Sequence, residues 1–193
     1  MSDLLDAYEK AKLDLSFKKF SERKVDVFSM LVVSKVERKT PDALVTAEVA
    51  RQLDKTLSGA LGTFHECLIG GLDGITRYPV GHKYDIKADD DSIFGEVKSK
   101  HNTMNDDSAT SVHMKLRVLA DEHPGADCYL VEVISTRSRK FTWVKNKESH
   151  KRVFKISADQ FYSTVTGDKE AFAEVFKALP AVLDDVIVQR AGA

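Results

Sequence analysis

Lys83-Tyr84-Asp85-Ile86-Lys87-Ala88, then Asp89-Asp90-Asp91-Ser92, then Ile93-Phe94-Gly95-Glu96-Val97-Lys98-Ser99 is the stretch whose reading decides the fold. Tyr84 to Lys87 and Ile93 to Ser99 read as short strands, and the Asp/Ser cluster between them reads as a turn. With the turn centred between Asp90 and Asp91, Asp85 faces Glu96 and Lys87 faces Phe94. Directly opposed residues share a face, with Cβ atoms about 4.5–5.5 Å apart. Lys98 joins that face because side chains alternate along a strand. The other face collects Ile86, Ala88, Ile93, Gly95 and Val97, which are small or apolar and suited to a core. One hairpin thus buries one side and gathers two carboxylates and an ammonium on the other.

Working outward, the chain before the hairpin reads as helical. Leu4, Leu5, Tyr8 and Ala11 follow helical spacing, as do Val27, Met30, Leu31 and Ser34. Thr40-Pro41-Asp42 starts a longer helix through Val45, Val49, Leu53 and Leu57. Gly59 and Gly62 interrupt that pattern, so a separate helix is expected to carry Leu61, Phe64, His65, Leu68 and Leu72. Beyond the hairpin, Ser108 to Ala120 reads as a helix with Val112, Leu116 and Leu119 inward and Asp107 or Ser108 as its cap. Cys128 to Ile134 is a nearly continuous β-prone run, as in a strand covered on both faces. Phe141 to Lys145 and Arg152 to Ile156 read as further strands, and Lys169 to Leu179 as a helix. The fold class is therefore α/β, a mixed central β-sheet flanked by helices. We expect a single domain over residues 1–193, its helical part at about 1–74 and its sheet core at about 75–160.

The 193 residues suffice for a core without disulfides or a structural metal. Cys67 and Cys128 have no Cys or His at ligand spacing, so free thiols fit better than a disulfide or a zinc site. No stretch reaches the ~20 apolar residues of a membrane helix, and the N-terminus carries acids rather than a basic leader. A cytoplasmic protein without membrane partners is the expectation. The formal net charge of −1 argues against a polyanionic partner, but the charges are uneven. Arg137, Arg139, Lys140, Lys145, Lys147, Lys151, Arg152 and Lys155 stand against Glu148 alone. Two readings stay open: a solvated edge with lysines that discourage aggregation, or a phosphate-binding surface.

Two carboxylates as close as Asp85 and Glu96 repel, and a divalent cation removes the conflict. A few hard oxygen ligands with room for water and a phosphate oxygen suit Mg²⁺. Such an ion polarises a phosphate and acidifies a water. Lys98 would orient that water and offset charge on the phosphate. Glu-x-Lys alone carries little weight, since it occurs at Glu22/Lys24, Glu37/Lys39 and Glu96/Lys98. Only the third has a strand context, an opposed Asp and a turn between them. An exposed charged hairpin face is the plain alternative.

Asp85 with Glu96-Val97-Lys98 resembles the PD-(D/E)XK nuclease signature, with Tyr84 where the signature has proline. The longer stretch Gly95-Glu96-Val97-Lys98-Ser99-Lys100-His101-Asn102-Thr103-Met104-Asn105 is similar to type II restriction endonucleases that cut GGWCC or GGNCC sites. The similarity runs from about Gly62 through Thr166-Gly167 and leaves the first 60 residues unmatched. The resemblance implies Mg²⁺ as cofactor, with Asp85, Glu96 and the Val97 carbonyl as metal ligands and Lys98 as the catalytic lysine. It also implies a Glu from the preceding helix, for which Glu66 fits; a solvated helix glutamate is its alternative. Double-stranded DNA is the implied partner and a homodimer the implied assembly, because a palindromic site has two-fold symmetry. A repair or junction-resolving nuclease on the same fold, and a DNA-binding protein without catalysis, are the rivals.

Lys100 and His101-Asn102-Thr103-Met104-Asn105 directly follow the catalytic strand, so Lys100, His101, Asn102 and Asn105 are candidate DNA contacts. Capping of the next helix by Asn105 or Asp107 is the local alternative. A G/C-rich site calls for donors to guanine, and Arg137 and Arg139 are the candidates. Lys140, with Lys145, Lys147, Lys151 and Arg152, suits phosphates. His113 is expected to pack half-buried, and Trp143 to lie in the core rather than stack on a base.

Overall fold

The computed structural model describes residues 1–13 and 26–192, with backbone only for 11–13. Glu22/Lys24 lies outside the described residues. The chain divides into two compact units, Met1–Leu61 and Gly62–Ala193.

The first unit is helical: α1 (Ser2–Leu13), α2 (Val27–Glu37) and the start of α3 (Pro41–Ile69). Asp26 caps α2 by accepting from the Ser29 amide at 3.0 Å, and Arg38 ends it in the left-handed region at φ 52°. Thr40 Oγ1 accepts from the Ala43 amide at the start of α3. Buried Glu48 receives both Arg51 and Gln52 side chains, and the Arg51 hydrogen bonds hold its carboxyl down at about 2.

One expectation changes here. Gly59 and Gly62 do not divide the helix; α3 runs unbroken to Ile69 and stops at Gly70-Gly71. A helical glycine costs only about 1 kcal/mol relative to alanine, which the Leu57, Ala60 and Leu61 neighbours offset. Gly62 also faces Ser99, whose Oγ would lie 3.6 Å from an added Cβ.

The second unit is built on six strands: β1 (Ile75–Arg77), β2 (Ile86–Ala88), β3 (Ile93–Lys100), β4 (Asp127–Ile134), β5 (Lys140–Lys145) and β6 (Glu148–Ser157). Their order is β1-β2-β3-β4-β6-β5, parallel for β3-β4-β6 and antiparallel elsewhere. The helices are α4 (Asp106–Glu122), α5 (Ala158–Thr166) and α6 (Ala171–Ala191). The mixed sheet with flanking helices is as expected. The register is too: Ile86 pairs with Gly95 and Lys87 with Phe94. The turn closes with the Asp91 amide on the Ala88 carbonyl and Asp91 at φ 61°.

Both faces of the sheet are covered. Ile86, Ala88, Val97, Tyr129, Val131 and Ile156 pack with Ile69, Phe161 and Tyr162 on one side. Phe94, Cys128, Leu130 and Val153 pack with Leu116, Leu119, Ala120 and Trp143 on the α4 side. Gly95 is required by this packing, because a Cβ there would come within 2.8 Å of the Ile86 side chain.

β1 and α5 were not foreseen. Three residues are too few for strand alternation to register, and α5 follows β6 without a loop. The last helix runs past the expected end at Leu179 through Pro180 to Ala191. Trp143 is core, as expected. His113 is fully buried rather than half-buried, with Nε2 3.1 Å from the Trp143 carbonyl, which accepts, and its ring edge-on to the indole. Burial pushes the His113 pKa below its usual value. Cys128 is buried and its thiol is pushed up to about 12, whereas Cys67 is exposed; both are free. Among the described residues, no helix is long and apolar enough to cross a membrane.

Candidate active site

The hairpin ladder ends at Asp85, and what happens there builds the site. The Asp85 amide donates to the Gly95 carbonyl at 2.9 Å, the last rung. Where the next rung would come, Asp85 Oδ2 accepts from the Val97 amide at 2.8 Å. The carboxylate is thereby locked to the edge of β3. In a strand, the N–H and C=O of one residue point to the same side, so the Val97 carbonyl faces that same edge.

Glu96 is buried on the α4 face, its side chain 5% exposed, with an ammonium on each oxygen. Lys98 Nζ lies 3.3 Å from Oε2, and Lys115, from α4, pairs with Oε1. Lys98 also lies 4.0 Å from Asp85 Oδ2. One ammonium therefore touches both acids, as the hairpin register requires. A carboxylate this far from water is tolerable only when compensated, and here two lysines compensate it.

Lys115 escaped the sequence reading. It flanks the Val112/Leu116/Leu119 stripe, and no motif marks it. Its only signal was its place on the helix directly after β3.

Next along the α4 face lies a second charged group. In the register of β3, β4 and β6, Lys98 stands beside Glu132 and Glu132 beside Ser157. Glu132, fully buried, is held by Arg139 at 3.0 Å and Lys155 at 3.4 Å. Arg139 lies over the Phe141 ring at 5.0 Å and donates its amide to Ser157 Oγ.

The remaining candidates divide by position. Lys100, His101 and Asn102 are exposed at the end of β3, just beyond Lys98. His101 is tied to the Ile134 carbonyl through its amide at 3.1 Å, so the ends of β3 and β4 are joined. Arg137 is exposed in the loop after β4, at this same end of the sheet. Asn105 is the cap of α4, its Oδ1 accepting from the Ser108 amide at 2.8 Å. Of the caps considered, Asn105 is the one used; Asp107 and Ser108 lie within the helix, because Asn105 is the residue with extended backbone. Lys140 stands on the opposite sheet face, between the Tyr129 and Phe154 rings, 2.8 Å from the Tyr129 hydroxyl. Glu66 is gripped by Arg77 Nε and Nη2 at 3.2 and 3.1 Å. Arg77 pairs with Ile86 and shares its face, away from Glu96.

Much of the basic run is internally engaged. Lys145 pairs with Asp106, Lys155 with Glu132, and Arg152 donates to the Ala120 and Pro124 carbonyls at the end of α4. Arg137, Lys147 and Lys151 project without an ion pair among the described residues.

This geometry meets its relatives in two comparisons. The family model described as Eco47II restriction endonuclease matches residues 1–188. The chain belongs to the Eco47II restriction endonuclease family. It is 38% identical to the type II restriction enzyme Sau96I of Staphylococcus aureus, over 95% of this chain and 75% of that protein. It is 25% identical to the type II restriction enzyme Eco47II of Escherichia coli, over 95% of this chain and 82% of that one. The endonuclease is thus an enzyme of the type II restriction class, a hydrolase of DNA phosphodiesters. The match begins at residue 1 and so takes in the helical stretch that the motif left unmatched.

Proposed function

We propose that this endonuclease hydrolyses both strands of a short G/C-rich palindrome, of GGWCC or GGNCC type, using Mg²⁺ and acting as a homodimer. The observation that carries the catalytic part is the Lys98 ammonium set between Glu96 and Asp85 at the end of the hairpin. Asp85 Oδ1, Glu96 and the Val97 carbonyl would hold the ion. The donor set fits one: all oxygen, two formal negative charges, and only cationic or N–H partners to be displaced. When bound, a divalent ion supplies Lewis acidity toward the phosphate and an acidified water.

The chain's own groups do the rest. The Val97 amide fixes the Asp85 carboxylate, so it needs no reorganisation when DNA arrives. Lys98, tied to the same strand, stands where it can orient the attacking water and offset charge building on the phosphorus oxygens. The leaving 3′ oxygen departs as hydroxyl, giving 5′-phosphate ends. A role for Glu66 would require its release from Arg77.

For recognition, Arg137 and Arg139 are assigned to guanine edges. Arg139, its Nε buried, would present only its outer guanidinium donors, with the group fixed by Glu132. Lys100, His101, Asn102 and Asn105, whose amide nitrogen stays available while its oxygen caps α4, are assigned to the DNA near the cut. Lys140 is assigned to phosphate.

The test is digestion of plasmid with purified protein and Mg²⁺, followed by sequencing of the fragment ends. Discrete fragments sharing one five-base palindrome, abolished by a chelator, are expected. Fragments without a common site would refute the specificity, and cutting that survives the chelator would refute the metal.

A further inference from the structure

Glu96 is the one acid in the cluster with an ammonium on each oxygen, and the two ammonium groups differ in how they are held. Lys98 sits on the same strand, two residues away, and reaches Asp85 as well. Lys115 comes from another element, α4, and is 35% exposed. Lys115 itself lines a groove of about 320 Å³, together with Lys83, Ser111, Met114, Val118 and Glu122. That open space gives the flexible apolar stem room to swing while α4 stays in place, and a lysine head readily changes partner.

The charges of Asp85, Glu96, Lys98 and Lys115 sum to zero. A dication entering this neutral group must displace a lysine from Glu96, at the cost of an ion pair in a poorly solvated place. An arriving phosphate alters that balance, because it supplies the negative charge that can take the displaced ammonium.

We propose that Lys115 is an exchangeable counter-ion: it occupies Glu96 in the DNA-free enzyme and passes to a DNA phosphate on binding, so that metal and DNA bind cooperatively. The idea rests on the reading of Glu96 as a metal ligand. Lys115 is thus a positioning residue that acts through Glu96 and limits metal uptake away from DNA.

The experiment measures Ca²⁺ binding by calorimetry without DNA, and binding of a GGACC duplex, which satisfies both site patterns, by fluorescence anisotropy with and without Ca²⁺. Wild type, K115M, K115Q, K115R and E96Q are compared, each checked for a native circular dichroism melt. K115M and K115Q should bind Ca²⁺ about tenfold tighter without DNA, and lose a similar factor from the Ca²⁺ enhancement of DNA affinity, within the usual range of coupling between sites. K115R, keeping the charge, should resemble wild type. Unchanged or weaker Ca²⁺ binding in both neutral variants would overturn the counter-ion role. So would an unaltered Ca²⁺ enhancement. E96Q separates the two ideas: if it binds Ca²⁺ as wild type does, the metal reading itself has failed.

Discussion

Glu37-Arg38-Lys39 and Glu96-Val97-Lys98 have the same spacing and opposite consequences. At the end of α2, Lys39 reaches Glu37 at 2.6 Å, with side chains 40% and 50% exposed. In β3 the pair is longer, 3.3 Å, yet Glu96 is 5% exposed and shares Lys98 with Asp85. The shorter contact matters less. Water screens the first pair and competes for both partners, so it contributes at most about 1 kcal/mol. The second pair is part of a buried, multiply charged group whose energy depends on every member being present. What sets Glu96 apart is its burial and company, not the Glu-x-Lys spacing.

The widest gap between the two pairs should be in activity. Glu96→Gln should lower plasmid cleavage by at least about a thousandfold, the scale of losing one group from a preorganised site. Glu37→Gln should leave it within about twofold. Initial rates on supercoiled plasmid read both, and equal losses would erase the distinction.

Stability sharpens the comparison at the neighbouring buried acid. Glu132→Gln leaves Arg139 and Lys155 facing a neutral amide, and should cost about 3 kcal/mol in urea unfolding. Lys39→Met at the surface pair should shift the same midpoint by less than about 1 kcal/mol. A Glu132 effect as small as that of Lys39 would mean that the buried cluster is better solvated than its exposure indicates.

The smallest effect concerns a buried group with no ion pair. Burial lowers the pKa of His113 below its usual value of 6.5. The unfolded chain therefore takes up the proton first, and the folded state is penalised as pH falls below that value. Above pH 6.5 the neutral ring contributes its full stability; on descent toward the lowered folded value that contribution is lost. Melting temperature measured across this window should fall less steeply in His113→Gln than in wild type. Parallel slopes would assign the acid sensitivity to other groups.

The hairpin was legible because its information is local. A turn cluster between two alternating runs sets a register, and register alone places Asp85, Glu96 and Lys98 together. The α4 helix was legible from its periodicity and the buried β4 strand from its unbroken β-prone run, both of them local signals. Elements without periodicity, such as the three-residue β1, were not. The fate of the basic run was also hidden. Whether Lys145 or Lys155 meets solvent or a carboxylate depends on Asp106 and Glu132, which lie far off in the chain. Likewise Glu66 offered a helix acid at the right place, and only the fold revealed Arg77 against it.

By itself, the order of residues determined the α/β class, the pairing of the hairpin, and which two acids and which lysine meet at its end. Those follow from alternation and turn chemistry over fewer than twenty neighbours. Tertiary structure alone decided that Glu96 is shut away from water, that Lys115 holds its second oxygen, and that Glu132 anchors Arg139. Burial and cross-element ion pairs depend on how α4 and the parallel strands pack, and that distance in space leaves no mark in the spacing of the chain.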